Sequence, residues 1–466
     1  MRLTLALLIV ALWPGCLPAA DLSAQLRSLI NAAPDGSRAS IAVIDCATGK
    51  WVFQAEAERP QRIASVAKLL VSSAALLELG PDYQFTTTLV SLGPIVAGAA
   101  PGLGVIGGGS PCLDEHFSDK QPDRIFVAWA TQLTHAGVQR IDGDLVVDNR
   151  LFAGPIRPST YPDDHTNAQR WYSAPASAFA FNDNCIEVRV VPGVSGQAAR
   201  VETRPRSNRI AINNRTTTVT SKPSPGLIVT RAHHANSLTV SGRYRKTSSW
   251  FPLAIHEDPD LLAGDHLAAL LKDAGIPLSG TVRLGAMNPA AGPVLVTQHD
   301  PLLPALQILN QRSQNFYGEQ ILRVIGAHRT GSGSIAAGTE AVLGVLRADL
   351  GLALDSVTLL DGSGLSYNNR ASAGDICRLL AAMDQGPHAE IFSGTLKDKW
   401  SGKVRARVKT GSLNVARCLA GYIPGQNSTN YAFAILLNKH SAKSIYWANT
   451  LRDKSFQAMA KALGGP

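Results

Sequence analysis

Hydrophobic and polar positions change their period several times along the 466 residues. Residues 3–13 form an uncharged apolar run behind Arg2, broken by Pro14-Gly15 and followed by Ala19-Ala20 just before Asp21. Eleven residues fall short of the ~20 needed to cross a hydrocarbon core, so residues 1–20 read as a secretory leader. Cys16 after Gly15 has a lipoprotein flavour, but Trp13-Pro14 is a poor approach to such a site. Alternation at 40–45 and 51–55, around a turn at Gly49, predicts a hairpin. A helix is predicted from about 64 to 79, where the only charges are Lys68 and Glu78; a helix that apolar on all sides is a buried one.

From about 86 to 292 the pattern is short and strand-like (144–147, 185–191, 209–213, 227–231, 237–240), with helical periods only near 124–135 and 258–274. After Pro304 it turns helical at 305–329, 336–350 and 374–383. It closes with strands at 404–413, 419–423 and 431–438 and a helix at 445–463. The predicted class is α/β (α+β), with an antiparallel sheet flanked by helices and drawing strands from both ends of the chain. Residues 21–85 and 293–466 then make one split domain, interrupted by a β-rich insertion at 86–292 that reads as two subdomains. The apolar stripe of the last helix (Ile445, Trp447, Ala448, Leu451, Phe456, Leu463) suits a membrane surface or, the preferred reading, the cover of that sheet.

Composition narrows the function classes. At 45% hydrophobic the chain has material for cores and is not disordered, and its 41 Gly and 27 Pro show no fibrous period. The formal charge of +9 comes without a Lys/Arg block or interleaved aromatics, which argues against a nucleic-acid partner. Five cysteines (46, 112, 185, 377, 418) remain after the leader, an odd number that leaves at least one thiol unpaired within the chain. None has zinc-site spacing, and His233-His234 and His256-Glu257 stand alone, so no metal and no cofactor is expected.

Chemistry enters at Ser65-Val66-Ala67-Lys68. Residues three apart share a helix face, so Lys68 Nζ reaches Ser65 Oγ, and burial drives an ammonium towards the neutral amine that a general base requires. Alone, Ser-x-x-Lys is a common string. Two others follow it in order, Ser313-Gln314-Asn315 in the helical stretch and Lys409-Thr410-Gly411-Ser412 on a predicted strand. Together they make the motif set of active-serine penicillin-recognising enzymes.

On these motifs the sequence resembles the low-molecular-mass class C penicillin-binding proteins, the D-alanyl-D-alanine carboxypeptidase/endopeptidase family. The offsets of 248 from Ser65 to Ser313 and of 94 from Asn315 to Lys409 suit that family, and the first exceeds the corresponding gap of class A β-lactamases. Further family-like stretches are 137–145, 172–175 with Asn182-Asp183-Asn184, 361–366 and 419–422. Ser110 stands where the family commonly has Asp, and Tyr367 where a basic residue is usual.

The resemblance implies a penicillin-recognising, serine transpeptidase-like fold and acyl transfer through a serine ester. In that scheme Ser65 is the nucleophile, Lys68 its base and Ser313 a proton relay. Asn315 would meet the substrate backbone, and Lys409, Thr410 and Ser412 its terminal carboxylate. The Ser65 and Ser412 backbone N–H groups would form an oxyanion hole, and Gly411 would leave room for substrate. Implied partners are peptidoglycan stem peptides and covalently bound β-lactams, in a periplasmic or secreted setting with at most weak membrane association. Period two along 403–409 also sets Lys403, Arg405, Arg407 and Lys409 on one side, either a basic track to the cleft or a solvated strand with Lys409 alone in use. A β-lactamase and a non-catalytic wall-binding protein remain as alternatives. The first would need a Glu-x-x-x-Asn-type water-holding loop between Asn315 and Lys409, where Glu319 and Glu340 sit in helical patterns instead.

Overall fold

The computed structural model describes residues 17–426, 429–438 and 445–465, with side chains from Asp21 onward. Most of the expected leader, with Cys16, lies outside the described residues; 17–20 are the first turn of a helix, Leu17–Asn31. No described helix is long and apolar enough to cross a membrane.

A six-stranded antiparallel sheet organises the two ends of the chain. Its order is Lys397–Ser401, Val404–Leu413, Ala416–Pro424, Asn430–Asn438, Arg38–Asp45, Trp51–Ala55. The N-terminal hairpin joins through Arg38–Asp45, which pairs with Asn430–Asn438 in unbroken register from Arg38 opposite Asn438 to Asp45 opposite Tyr431. Both faces are covered, which is why these strands are nearly continuously apolar. Ile41, Val43, Ile435 and Leu437 face a layer made by Leu17–Asn31 and Ile445–Leu463, with Leu22, Leu26, Leu451 and Phe456 at its centre. Ala42, Ile44, Ala434 and Leu436 face the larger core under helices Ala67–Glu78, Asn315–Thr330, Ile335–Leu350 and Ala373–Gln385. The stripe of the last helix therefore covers the sheet.

The middle of the chain has two further cores. One lies between a five-stranded sheet (Val282–Leu284, Leu145–Asp148, Leu103–Ile106, Gln84–Ser91, Val294–Pro301) and helices Asp123–His135 and Pro259–Asp273. Two of its pairings are parallel, so this part is more mixed α/β than its short strand-like runs suggest. The other core joins two three-stranded sheets through Ile186, Val188, Leu238, Val240 and Leu253. The chain leaves and returns along paired strands, Gln84–Ser91 against Val294–Pro301.

One predicted helix is broken. The pattern at 305–329 is continuous, but the structure has an α-helix at Leu302–Gln307, a π-helical turn at Ile308–Arg312, and Ser313 left-handed at φ 61° before Asn315–Thr330 begins. The polar run Asn310 to Asn315 has no apolar position to hold a helical face against the core, which is where the break falls. All five described cysteines are buried and unpaired.

Phe456 measures what the rear layer contributes. It is buried against Phe433 at 5.9 Å, with Lys399 Nζ 5.1 Å from its ring. Phe456→Ala is expected to cost about 3–5 kcal/mol in denaturant unfolding.

Candidate active site

Ser65 lies in a short 3-10 turn, Ala64–Val66, that leads into the buried helix Ala67–Glu78. Ala64 is left-handed at φ 48°, an unfavourable conformation for a residue with a Cβ, and it turns the chain sharply just before the serine. Gly364 rests on this turn. A Cβ there would lie 2.0 Å from the Ala64 carbonyl oxygen, and Gly364 itself is left-handed at φ 80°.

Lys68, one turn on and 0% exposed, donates to Ser65 Oγ at 3.1 Å, to Asn315 Oδ1 at 2.8 Å and to the Ser363 carbonyl oxygen. Burial pulls its pKa from 10.5 down to about 7, against the opposing pull of the Asp361 and Glu319 carboxylates. Asn315 also donates from Nδ2 to the Tyr172 carbonyl oxygen at 2.9 Å, so it ties Lys68 to a peptide of the middle segment.

Lys409 is likewise 0% exposed and donates to Ser313 Oγ at 2.7 Å and to the Thr410 carbonyl oxygen at 3.0 Å. Burial and then the neighbouring Lys68 charge hold its pKa well below the ordinary lysine value. The left-handed backbone at Ser313 sets that hydroxyl on the Lys409 side, and Lys68 makes no hydrogen bond to Ser313 among the described residues.

These groups surround one cavity of about 390 Å³. Ser65, Ser313, Asn315 and Ser412 line it, with Trp171, Tyr172 and Tyr367 as aromatic walls and Arg312 and Arg417 as its cations. Lys68 and Lys409 lie behind that lining, and Thr410 is exposed on the same strand. The strand Lys397–Ser401 pairs only as far as Val408, so from Lys409 to Leu413 one edge of the next strand is free. Gly411 has a structural reason beyond room for substrate: a Cβ would meet the Ile63 carbonyl oxygen at 2.7 Å, so the strand packs directly on the backbone before Ser65.

The basic side of that strand is only partly available. Arg405 and Arg407 both pair with Asp398, at 2.8 and 3.3 Å, while Ala406 and Val408 face the rear layer as period two requires. His233 and His234 do not stand alone. Their Nε2 atoms lie 3.9 and 3.2 Å from the Asp163 carboxylate, and His234 Nδ1 lies 3.4 Å from His256 Nδ1. Arg157, 3.8 Å from the same carboxylate, already supplies a cation there. A second group, Asp114, His116 and Asp183, is bound up in hydrogen bonds from Tyr317, His116 and Gln314.

Sequence reasoning missed the layer under Lys68. Tyr161, from the middle segment, donates to Glu319 Oε1 at 2.8 Å and lies 2.8 Å from Ser363 Oγ, and the Ser363 N–H donates to the same Glu319 oxygen at 2.9 Å. Glu319 had a signal, since it follows Asn315 by four residues on an apolar helix and so shares its face. Tyr161 had none. Ser110, at the position where an aspartate was expected, donates to Asp300 Oδ2 at 2.5 Å, so a carboxylate reaches that spot from another strand.

A profile of the D-Ala-D-Ala carboxypeptidase 3 (S13) family matches residues 22–449. A D-alanyl-D-alanine carboxypeptidase of Actinomadura sp. strain R39 is 28% identical over 90% of this chain and 81% of its own length. Among solved structures, penicillin binding protein 4 of Haemophilus influenzae superposes with a TM-score of 0.74 at 21% identity, covering 93% of this chain and 99% of the other. A peptidoglycan endopeptidase of Bdellovibrio bacteriovorus gives 0.51 at 16% identity, covering 92% and 93%.

The contact at Gly364 generates a test. Gly364→Ala is expected to displace the Ala64–Ser65 turn and to slow acylation of Ser65 by a serine-directed probe by about two orders of magnitude, the usual cost of a misplacement near 1 Å. An unchanged labelling rate would show that the turn does not depend on that contact.

Proposed function

The chain belongs to the D-Ala-D-Ala carboxypeptidase 3 (S13) family and is a serine DD-peptidase; we propose that Ser65, Lys68, Ser313, Asn315 and the strand Lys409–Ser412 are its working parts. The observation that carries this reading is the pair of buried lysines, one bonded to Ser65 and Asn315 and the other to Ser313, behind a single cavity.

In the first step Ser65 Oγ bonds to the carbonyl carbon of the penultimate D-alanine while its proton passes to neutral Lys68. Backbone N–H groups of Ser65 and Ser412 hold the oxyanion; each such donor is worth roughly 3 kcal/mol. Collapse breaks the peptide bond, and the leaving amine takes a proton through Ser313 and the lysines. Water then cleaves the ester, and the carboxylate product leaves. The free edge at Lys409–Leu413 suits a substrate backbone lying alongside as an added strand. Burial pulls Lys409 towards the neutral amine, and a terminal carboxylate beside it would pull it back towards the ammonium.

A β-lactam amide in the same place would acylate Ser65. None of the described residues that line the cavity is acidic, so no carboxylate there would activate a water for rapid deacylation, and the adduct would persist rather than turn over as in a β-lactamase. The leader reading of 1–20 implies export to the periplasm or beyond, with residues 21–85 and 293–466 as the catalytic unit around the insertion 86–292.

Fluorescent penicillin is expected to label the protein and to lose all labelling in Ser65→Ala. Because the base must be neutral and the Lys68 pKa lies at about 7, acylation is expected to rise with pH through about 7 and to fall tenfold per unit below it. Mass spectrometry of muropeptides separates the two activities: new tetrapeptide ends report carboxypeptidase action, loss of crosslinked dimers endopeptidase action. Absence of both, with penicillin labelling intact, would overturn the hydrolytic reading.

A further inference from the structure

Lys68 meets two carboxyl groups that differ in how they are satisfied. Asp361 accepts from the Gly364 N–H at 2.6 Å, the Ser366 N–H at 2.7 Å and Asn369 Nδ2 at 2.9 Å, so both of its oxygens are held by donors. Among the described residues, Glu319, 1% exposed, has donors only at Oε1, from Tyr161 and the Ser363 N–H, and its buried Oε2 has no partner. A buried carboxylate oxygen with nothing to bond it is costly while it carries charge, less so once protonated.

Ser363 connects this group to the base through one residue: its N–H donates to Glu319 Oε1 and its carbonyl oxygen accepts from Lys68 Nζ. We propose that Glu319, braced by Tyr161, is a positioning residue that sets the charge of Lys68, protonated while the lysine is the neutral base and ionised while the lysine is an ammonium. The inference rests on Lys68 being that base.

The groups that bear on Glu319 come from four directions. Tyr161 arrives from the middle segment, Asp361 from the loop that carries Ser363, and Lys68 from the helix Ala67–Glu78. Arg323 follows Glu319 one turn on along the helix Asn315–Thr330, with its guanidinium held by the carbonyl oxygens of Ala153, Pro155 and Gly333 and no carboxylate bonded to it among the described residues. Burial and the Asp361 charge raise the Glu319 pKa to about 7, against the Tyr161 and Ser363 hydrogen bonds and Arg323. Glu319 and Lys68 therefore titrate in the same range and share protons as a pair, with the acid limb of acylation belonging to the pair rather than to the lysine alone.

The sign follows. Ionised Glu319 favours the ammonium, so some one-proton molecules hold an inactive Lys68 ammonium beside a Glu319 carboxylate. Glu319→Gln removes that form, keeps an acceptor for Tyr161 and the Ser363 N–H, and leaves Lys68 neutral at lower pH. Tyr161→Phe acts in the same direction and more weakly, because it withdraws a donor that favours the ionised carboxylate.

The experiment is the second-order rate of acylation by benzylpenicillin, a ligand with no group titrating near neutrality, from pH 5 to 9 for the full chain and both variants. The expected result is a midpoint lowered by roughly 1 unit in Glu319→Gln, the usual effect of losing a nearby opposite charge, and by a smaller amount in Tyr161→Phe. A rate depressed equally at every pH with the midpoint unmoved would overturn the proposal and leave Glu319 a merely structural group. Thermal unfolding monitors folding; should Glu319→Gln fail to fold, the Tyr161→Phe midpoint decides in the same way. A wild-type profile with no limb near neutrality would instead count against Lys68 as the base, which keeps the two failures apart.

Discussion

Two lysines buried near each other with little direct countercharge are the constraint on which the rest of the structure depends. Neither Lys68 nor Lys409 has a carboxylate within hydrogen-bond distance among the described residues; their partners are hydroxyls, an amide oxygen and peptide carbonyls. Such partners orient a lysine without fixing it as a cation, and burial then favours the neutral amine. Ion pairs at those two positions would hold both lysines charged and remove the base. The acids that do influence Lys68 stand one residue further away, with Asp361 held by its own loop and Glu319 half satisfied.

Holding the two amines in place needs a stiff frame, and several elements of the chain serve it. The strand Val404–Leu413 packs at Gly411 on the backbone before Ser65, Gly364 presses on the turn at Ala64, and Asn315 is pinned to Tyr172. The middle segment is thus part of the frame: the Tyr172 carbonyl accepts from Asn315 and the Tyr161 hydroxyl donates to Glu319, and both come from it. Of the twelve described non-glycine residues with left-handed backbone, two, Ala64 and Ser313, stand where the turn aims a reacting group.

Much of this was legible in the residues. The three motifs, the buried first helix, the odd and even sides of the strand 404–413 and the stripe of the last helix all follow from period and composition, because each is a local pattern repeated over many positions. The break at Ser313 did not follow: the polar run 310–315 reads as a continuation of the helical stretch, and the contact that fixes where the hydroxyl turns comes from Lys409, 96 residues away. Tyr161 was beyond reach for another reason. Its partners lie 158 and 202 residues away, and a lone tyrosine in a polar loop carries no local mark of being buried. The histidines at 233 and 234 went unpaired for the same reason, their partner Asp163 lying in a separate loop.

The pairing of Arg38–Asp45 with Asn430–Asn438 has a consequence for the order in which the molecule assembles. Partners roughly 400 residues apart meet in the middle of the main sheet, and the hairpin they join is apolar on both faces. As the chain emerges from its N-terminus, this hairpin has nowhere to dock until the last strands arrive, whereas the middle segment holds its own sheets and helices and can close early. Topology thus favours early closure of the middle segment, because the long-range pairing carries the larger loop-closure cost. During that wait the turn bearing Ser65 lacks the strand that completes its cavity, so a nascent or truncated chain has its nucleophile but not its reactivity.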